Sequence, residues 1–307
     1  MDGIRSVIAI LFFPAGLFVI FNGLMYLWVD RKLVAQFQNR IGPRWFQPVA
    51  DVIKLLAKEE IIPNNVNAKL FVGLPIFALA AALTAALYVP LAGLSPAANY
   101  PGDLITTVYL LSVVTMCLAL AGSNTISQFS LIGAVRTLTQ LFSYEAPFLL
   151  ALLGPAMVAG TWQIDKINSY ASGHWLILTQ PIGFVIALVG LMGKLELPPF
   201  DAPEAETEIV SGALTEYSGR GFALFQIAKA VELVVGLTLI AALYLGGIGN
   251  PIEFFAKTLI ILMVLGGLQS LFARFRIEQT VHWWRYAALL GLAQWLIVIV
   301  LGKGVFA

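Results

Sequence analysis

The chain has 307 residues, of which 59% are hydrophobic and only 11% are charged, and its formal net charge is +1. A mean hydropathy of +0.87 lies far above the range of soluble domains, so a soluble globular protein is excluded. The near-zero net charge does not indicate nucleic acid binding, and the single cysteine, Cys117, excludes an internal disulfide and a cysteine-ligated iron–sulfur or zinc site. The composition predicts an all-α polytopic membrane protein that holds no metal of its own.

Apolar runs of about 20 residues recur along the chain, and this length carries a helix across the hydrocarbon layer. The first run is too long for the apolar core of a signal peptide and has no small-residue cleavage site, so we expect it to be retained. We find no soluble domain and expect one transmembrane domain over residues 1–307. Its eight predicted spans cover about residues 7–29, 70–93, 104–122, 134–161, 175–196, 222–246, 257–273 and 286–302.

Basic residues are concentrated in the loops that follow spans 1, 3, 5 and 7. The positive-inside rule places these loops in the cytoplasm and both termini on the opposite side of the cell membrane. The two long loops, residues 30–69 and 197–221, then lie together on the cytoplasmic side, where a soluble partner could dock. The basic residues on that side are Arg31, Lys32, Arg40, Arg44, Lys54, Lys58, Lys69, Lys194, Arg220, Arg274, Arg276 and Arg285, against Arg5, Lys166, Lys257 and Lys303 on the other.

The first long loop is predicted to contain a short amphipathic helix. Gly42 and Pro43 break any helix that continues from span 1. From Pro48 to Glu60, an apolar face separates from a charged face, which is typical of a helix lying in the membrane interface. This helix is interpreted either as an anchor that fixes topology or as a lateral helix that frames an opening between bilayer and protein. The apolar face holds Val49, Val52, Ile53 and Leu56, and the charged face holds Asp51, Lys54 and Lys58.

The second long loop is rich in acids. Pro198 and Pro199 end span 5, and we expect Asp201 to cap a new helix entered through Pro203. Three acids, Glu204, Glu206 and Glu208, would then crowd its first turns, with Glu204 and Glu208 on one face at i,i+4. A solvated acidic surface would explain the cluster, but the apolar residues between the acids favour a partly buried, hydrated cavity.

Four ionisable residues fall inside predicted spans: Arg136 and Glu145 in span 4, and Lys229 and Glu232 in span 6. An intramembrane charge is costly unless it is paired or hydrated, so each is a functional candidate. Lys229 and Glu232, at i,i+3, could simply pair on their own helix. Alternatively, Glu145 and Glu232 continue a line of carboxylates from the acidic loop, whose coupled protonation suits a proton relay.

Three segments form a recognisable set in chain order. They are DRKLVAQFQNRIGPRWFQPVADVIKLLAKE (Asp30–Glu59), VRTLTQLFSYEAP (Val135–Pro147) and PPFDAPEAETEIVSGALTEYSG (Pro198–Gly219). Together they resemble the H-subunit family of NADH-quinone oxidoreductase, the enzyme also known as respiratory complex I. That family includes the equivalent membrane subunits of methanogen dehydrogenases, membrane-bound nickel–iron hydrogenases and sulfur reductases.

The resemblance carries family residues onto positions of this chain. For the first loop, as parts of the cavity and its interface, these are Asp30, Arg31, Arg40, Gly42, Pro43, Gln47, Asp51, Lys54, Lys58 and Glu59. For span 4 they are Arg136, Gln140, Ser143, Tyr144 and Glu145. For the acidic loop they are Phe200, Asp201, Glu204, Glu206, Glu208, Glu216 and Tyr217. The coupling path is expected to consist of Glu145, Asp201, Glu204, Glu206, Glu208 and Glu216, together with Arg136, Lys229 and Glu232.

The resemblance implies a non-catalytic subunit of an oxidoreductase and translocase fed by NADH, ferredoxin or another coenzyme. It implies that a hydrophilic iron–sulfur arm with a large redox subunit docks on the cytoplasmic loops. Small membrane subunits and antiporter-like pump subunits would join it in the bilayer. No cofactor is expected on this chain alone, because the iron–sulfur clusters, and nickel–iron where present, belong to partners. The acidic loop would form the floor of a chamber for a quinone or quinone-like carrier.

Two departures from complex I bear on that chamber. Asp30 stands where a glutamate is usual, and Lys194 to Leu197 replace the usual E-T-N-R. Two forms therefore stay open, a dehydrogenase that reduces a quinone-like carrier and a hydrogenase-like or sulfur-reducing complex without quinone. A stand-alone secondary transporter is a remote alternative that predicts repeats and broken helices, neither of which is clear here. A purely structural anchor would leave Glu145, Lys229 and Glu232 unexplained.

Overall fold

The computed structural model describes residues 12–301, apart from the side chains of Glu206 and Leu301. Within this range the chain is α-helical without β-strands, which confirms the all-α prediction. Residues 7–11 of the first predicted span, residue 302 of the eighth, Arg5 and Lys303 lie outside it. The helices are α1 (Leu17–Phe37), α2 (Gln47–Ala57), α3 (Ala68–Ala86), α4 (Asp103–Ser123), α5 (Gln128–Ala159), α6 (Ile164–Gly173), α7 (Leu176–Thr179), α8 (Pro181–Lys194), α9 (Glu206–Ile209), α10 (Gly219–Tyr244), α11 (Pro251–Leu271) and α12 (Ile277–Leu301), with 3₁₀ turns at Leu91–Gly93 and Gly212–Leu214.

Six helices among the described residues are long and apolar enough to cross a membrane: α3, α4, α5, α10, α11 and α12. These helices confirm that the chain is a multi-pass membrane protein. They account for six of the eight predicted spans, and the other two spans differ from the prediction. The first corresponds to α1, whose last two turns carry Asp30, Arg31 and Lys32. The fifth is divided at Gln180 and Pro181 into α7 and α8, because proline has no N–H to continue the α7 hydrogen-bond ladder. With 14 residues, α8 is about 21 Å long and falls short of a full crossing.

The centre of the bundle is α10. In its most apolar stretch 94% of the residues are buried, compared with 28% to 61% for the other five spans. Because α10 carries the ionisable residues Lys229 and Glu232, it is better placed among protein neighbours than in lipid, and α1, α2, α3 and α11 pack against it. The outer helices keep exposed apolar faces, which suit lipid or partner helices. Cavities that adjoin α10 are therefore held by the most buried element of the fold.

The amphipathic helix predicted in the first loop is present as α2, which confirms that expectation. Val52 is buried and α2 packs against α10 and α1. Ile53 and Leu56 stay exposed on the same helix, as suits a helix that lies in the membrane interface. The first long loop thus closes one side of a cleft whose other side is α10.

The prediction that a helix starts at Asp201 is wrong. The segment after α8 contains only the four-residue α9 and the 3₁₀ turn at Gly212–Leu214. Asp201 does not act as a helix cap, because both of its carboxylate oxygens bind the guanidinium of Arg274, Oδ1 to Nε at 2.9 Å and Oδ2 to Nη2 at 2.7 Å. A tertiary ion pair has taken the side chain that the sequence pattern assigns to local capping.

Candidate functional site: a charged cavity and buried ionisable groups

A cavity of about 410 Å³ lies between α1, α10 and the segment that follows α8. Apolar lining comes from residues such as Leu27 and Leu233, and the remainder is dominated by ionisable groups. Of the acidic-loop acids whose side chains the structure describes, Asp201 and Glu204 line the cavity, while Glu208 and Glu216 do not. Its charged residues are Asp30, Arg31, Glu196, Asp201, Glu204, Lys229 and Arg274.

Three of these groups form a buried ion cluster that leads inward. The Lys229 ammonium lies 2.7 Å from Glu196 Oε2 and also binds the carboxylate of Glu204. The side chain of Glu204 is 47% exposed, whereas that of Glu196 is 5% exposed. Lys229 therefore joins a carboxylate that water reaches to one that it does not. The alternative in which Lys229 pairs with Glu232 on its own helix is wrong.

Glu196 follows the end of α8 and is the innermost acid of the loop. Burial raises the pKa of Glu196, and the neighbouring Lys229 ammonium opposes that rise while Glu204 adds to it. The second oxygen of Glu196, Oε1, is buried and has no hydrogen-bond partner among the described residues. An unpaired carboxylate oxygen in such a place favours a bound proton or water.

A second cavity of about 350 Å³ adjoins the first between α1, α2 and α10. Leu27, Arg31 and Gln226 line both cavities, so the two form one continuous cleft. Its outer wall is α2, on which Gln47 Nε2 donates to Asp51 Oδ1 at 2.8 Å and Asp51 lies 3.9 Å from Arg31. The residues that the first-loop motif contributes to this cavity are Arg31, Asp51, Lys54 and Lys58.

Four residues of the first-loop motif, Arg40, Gly42, Pro43 and Glu59, do not line the cleft. Arg40 and Glu59 are exposed. Gly42 contacts α1, since a Cβ at this position would meet the Lys32 side chain at 2.7 Å, and the Pro43 carbonyl accepts a hydrogen bond from Trp28 Nε1 at 3.1 Å. These two residues therefore fold the loop back onto α1. Their observed role is to position α2.

The predicted pair of Glu204 and Glu208 on one helical face does not form. Glu208 binds Arg136 of α5 at 2.8 Å, on a separate cavity of about 280 Å³, while Glu204 turns to Lys229. The hydrogen bond from Arg136 holds the pKa of Glu208 below its usual value. The side chain of Glu206 lies outside what the structure describes. The acids of this loop thus line two different cavities, Glu204 the first and Glu208 the separate one.

Deeper in the bundle, a second group of ionisable residues surrounds Lys194. Its ammonium donates to Ser112 Oγ at 3.1 Å and lies 5.4 Å from the centre of the Tyr144 ring. The charges that act on it are the carboxylates of Glu232 and Glu145. Lys194 and Glu232 are both 2% exposed, so this group is inside the protein.

The two deep acids are incompletely satisfied. Glu145 Oε1 and Glu232 Oε1 are buried, and neither has a hydrogen-bond partner among the described residues. A buried carboxylate oxygen without a partner is costly, so an ordered water is favoured beside each of these two oxygens. The chain thus has two layers of ionisable groups, one at the cleft and one in the bundle.

Aromatic residues of the motifs pack the region between these layers. Phe200 lies 4.7 Å from the Trp284 ring, and Tyr144 contacts Trp284 at 6.1 Å. Tyr217 stacks on Phe71 at 4.1 Å, and its hydroxyl donates to the Phe71 carbonyl. Their observed contacts are ring packing and, for Tyr217, this hydrogen bond.

Sequence reasoning missed three residues of the site. Lys194 and Glu196 stood out only as departures from a motif, although an ionisable residue at the end of an apolar run was a usable signal. Arg274 counted only as a basic loop residue, and its pairing with Asp201 required the fold. Gln140 matched a motif, and the structure shows its amide donating to the carbonyls of Gly193 and Phe200 at 2.8 and 2.7 Å.

Comparisons with known proteins agree on the family. The family model described as NADH dehydrogenase matches residues 8–299. The H subunit of NADH-quinone oxidoreductase from Carboxydothermus hydrogenoformans is 34% identical over 306 residues, covering 94% of this chain and 86% of that protein. The H subunit of the same enzyme from Dehalococcoides mccartyi strain 195 is 33% identical over 288 residues, covering 90% and 81%.

Among solved structures, a chain of the archaeal membrane-bound sulfane sulfur reductase has the same fold, with a TM-score of 0.85 at 23% identity over 95% of this chain and 97% of that one. That likeness concerns the fold alone, whereas the two bacterial sequences match over most of both chains. This chain is accordingly a multi-pass membrane protein that belongs to the NADH dehydrogenase family, together with the H subunits of NADH-quinone oxidoreductases.

Proposed function

We propose that this chain is the membrane anchor and energy-coupling subunit of a complex-I-like, redox-driven ion pump. The observation that carries the proposal is the two-layer arrangement of ionisable groups. Glu204, Lys229 and Glu196 run from the cleft inward, and Lys194, Glu232 and Glu145 lie inside the bundle. Such groups are rare within membrane proteins and mark ion pathways.

Lys229 is the residue that responds to a change in charge at the cleft. It is shared between Glu204 and Glu196, so protonation of Glu204 weakens one of its two ion pairs and strengthens its hold on the other. A change of charge at the docked redox arm would bias this choice by a few kcal/mol, which is enough to shift a two-state element. The inner group would answer by a change in its protonation or hydration.

The proposed partners follow from the family and from the surface of the chain. The hydrophilic iron–sulfur and large redox subunits would bind the long loops at 30–69 and 197–221, on the cytoplasmic side of the cell membrane. Small membrane subunits and antiporter-like subunits would cover exposed faces of the outer helices, several of which are less than half buried. The chain itself would transfer no electrons, and both termini would face away from the cytoplasm.

A second form of this function, without quinone, is favoured by the composition of the cleft. Sites for small apolar ligands are lined mainly by hydrophobic and aromatic residues with few polar groups. The inner cavity instead has the seven charged residues named above. These side chains fit a hydrated cavity better than a quinone ring, so we propose no step that passes through a quinone.

The experiment that tests the proposal measures ion translocation per electron in the purified complex, reconstituted in vesicles. We expect Glu204→Gln and Glu232→Gln to keep electron transfer in the hydrophilic arm and to lower the ion-to-electron ratio at least about tenfold. Asp165→Asn, outside both layers, is the control. Unchanged ratios in assembled variants would refute the coupling role, and transport by the isolated chain would indicate a transporter.

A further inference from the structure

A groove lies on the outer surface of the bundle, beside the short helix α8. This groove of about 370 Å³ lies between α8, α11 and α12 and is lined by apolar residues throughout. Val185, Val264 and Phe272 are 57%, 44% and 50% exposed, so the groove opens toward the bilayer. Its closed end is formed by Phe200 and Trp283, whose rings lie 5.3 Å apart.

A polar cavity of about 280 Å³ lies next to this groove. Phe275 lines both the groove and this cavity, so the two are neighbours across a single ring. Arg136 and Arg274 line the polar cavity, but each already binds a carboxylate, Glu208 and Asp201 respectively.

Two further charged residues line the cavity and are differently placed. Arg276 and Glu278 are exposed, and neither has an ion pair among the side chains that the structure describes. They flank Ile277, where α12 begins, and a helix N-terminus favours a phosphate oxygen. One cation and one anion are thus left for a ligand beside the end of an apolar groove.

We propose that the groove and the cavity together bind one phospholipid with a zwitterionic, amine-bearing headgroup. One acyl chain would occupy the groove, the phosphate would bind Arg276 and the α12 N-terminus, and the ammonium would bind Glu278. This inference is separate from the ion-pump proposal and does not rest on it.

A partner helix fits this place less well than an acyl chain. A partner helix would place only side chains in the groove, because a helix about 10 Å wide does not enter a cavity of about 370 Å³. A helix would also bring no phosphate or amine to the exposed charges. An extended hydrocarbon chain with a zwitterionic head satisfies both parts at once.

The test is native mass spectrometry of the purified complex, washed with increasing detergent and followed by lipid extraction. We expect one aminophospholipid to stay bound per copy of this chain in the wild type. Val264→Trp should displace its acyl chain, and Leu296→Trp, on the exposed face of α12 outside the groove, is the control. Arg276→Gln should weaken retention about tenfold, whereas Arg285→Gln should not.

Glu278→Gln should weaken retention selectively for lipids that carry an amine. Equal retention in the wild type, Val264→Trp and Arg276→Gln would overturn the proposal, as would a retained molecule without phosphorus. A photoreactive residue at position 264 should label lipid, and labelling of another subunit would show that a partner helix covers the groove. Because Arg276 is exposed, its variant tests the headgroup even if Val264→Trp fails to assemble.

Discussion

At the residue scale, the central feature is a set of ionisable side chains that find partners far away in sequence. Lys229 reaches Glu196 and Glu204, and Arg274 reaches Asp201. Such pairs do not necessarily stabilise a protein, because removing two charges from water is costly. The pair of Lys229 and Glu196 nevertheless lies inside the bundle, which fits the proposed role in moving charge.

The free-energy cost of burying the ionised side chain of Glu196 can be tested by varying the pH. Burial raises its pKa above the ordinary value of 4.5. Protonated Glu196 makes its full contribution to the stability of the folded protein below about pH 4.5. This contribution is lost as the pH rises through the raised pKa of Glu196. We expect Glu196→Gln, which cannot ionise, to make the thermal midpoint of the complex fall less between pH 5 and 8 than in the wild type.

The measurement is thermal unfolding of the detergent-solubilised complex across that pH range. Asp165→Asn is the control, since it removes an acid outside the cluster and should keep the wild-type slope. A slope in Glu196→Gln that equals the wild-type slope would mean that Glu196 does not change protonation in this range.

At the scale of elements, the contact between α1 and α10 holds the cleft in shape. Gly23 of α1 lies against α10 so closely that a Cβ at this position would be 2.5 Å from the Ala230 carbonyl oxygen. Glycine is therefore required by packing, although its backbone conformation is ordinary. Any shift of α1 would also move Leu27, Asp30 and Arg31, which line the cavities.

We expect Gly23→Ala to destabilise the protein by about 1–3 kcal/mol, the usual cost of overpacking a helix interface. Gly267→Ala in α11 is a matched control, because a Cβ there meets nothing within 4 Å. Alanine should leave stability unchanged or raise it slightly at that position, since it is the better helix former. Thermal midpoints of the two variants give the comparison, and equal midpoints would contradict the close α1–α10 contact.

At the scale of the whole molecule, the two cavities act as one cleft because they share Gln226. Gln226→Trp should fill the junction, and Phe222→Trp, which changes the α2-side cavity alone, is the control. If the cleft is a hydrated charge path, Gln226→Trp lowers ion translocation at least about tenfold while the terminal reduction catalysed by the complex continues. Loss of the reduction of a membrane carrier would instead identify the cleft as a carrier chamber.

Much of this architecture was predictable from the sequence because its signals are local. Apolar runs of membrane length, the two-faced pattern of α2 and the order of three motifs each depend on neighbouring residues. The helix expected at Asp201 failed for the opposite reason: capping is a local preference, and a tertiary ion pair with Arg274 outweighed it.

The all-α membrane class, the family, the amphipathic helix and the candidate acids could therefore be predicted from the sequence alone. The partners of the charged residues became known from the fold. Lys229 joins Glu196 to Glu204, and Glu208 pairs with Arg136 instead. Lys194 lies with Glu232 and Glu145. The physical reason is that a charge buried away from water takes its partner from whichever helix packs beside it. The partner therefore depends on how the helices pack, and the spacing of residues along one helix does not predict it.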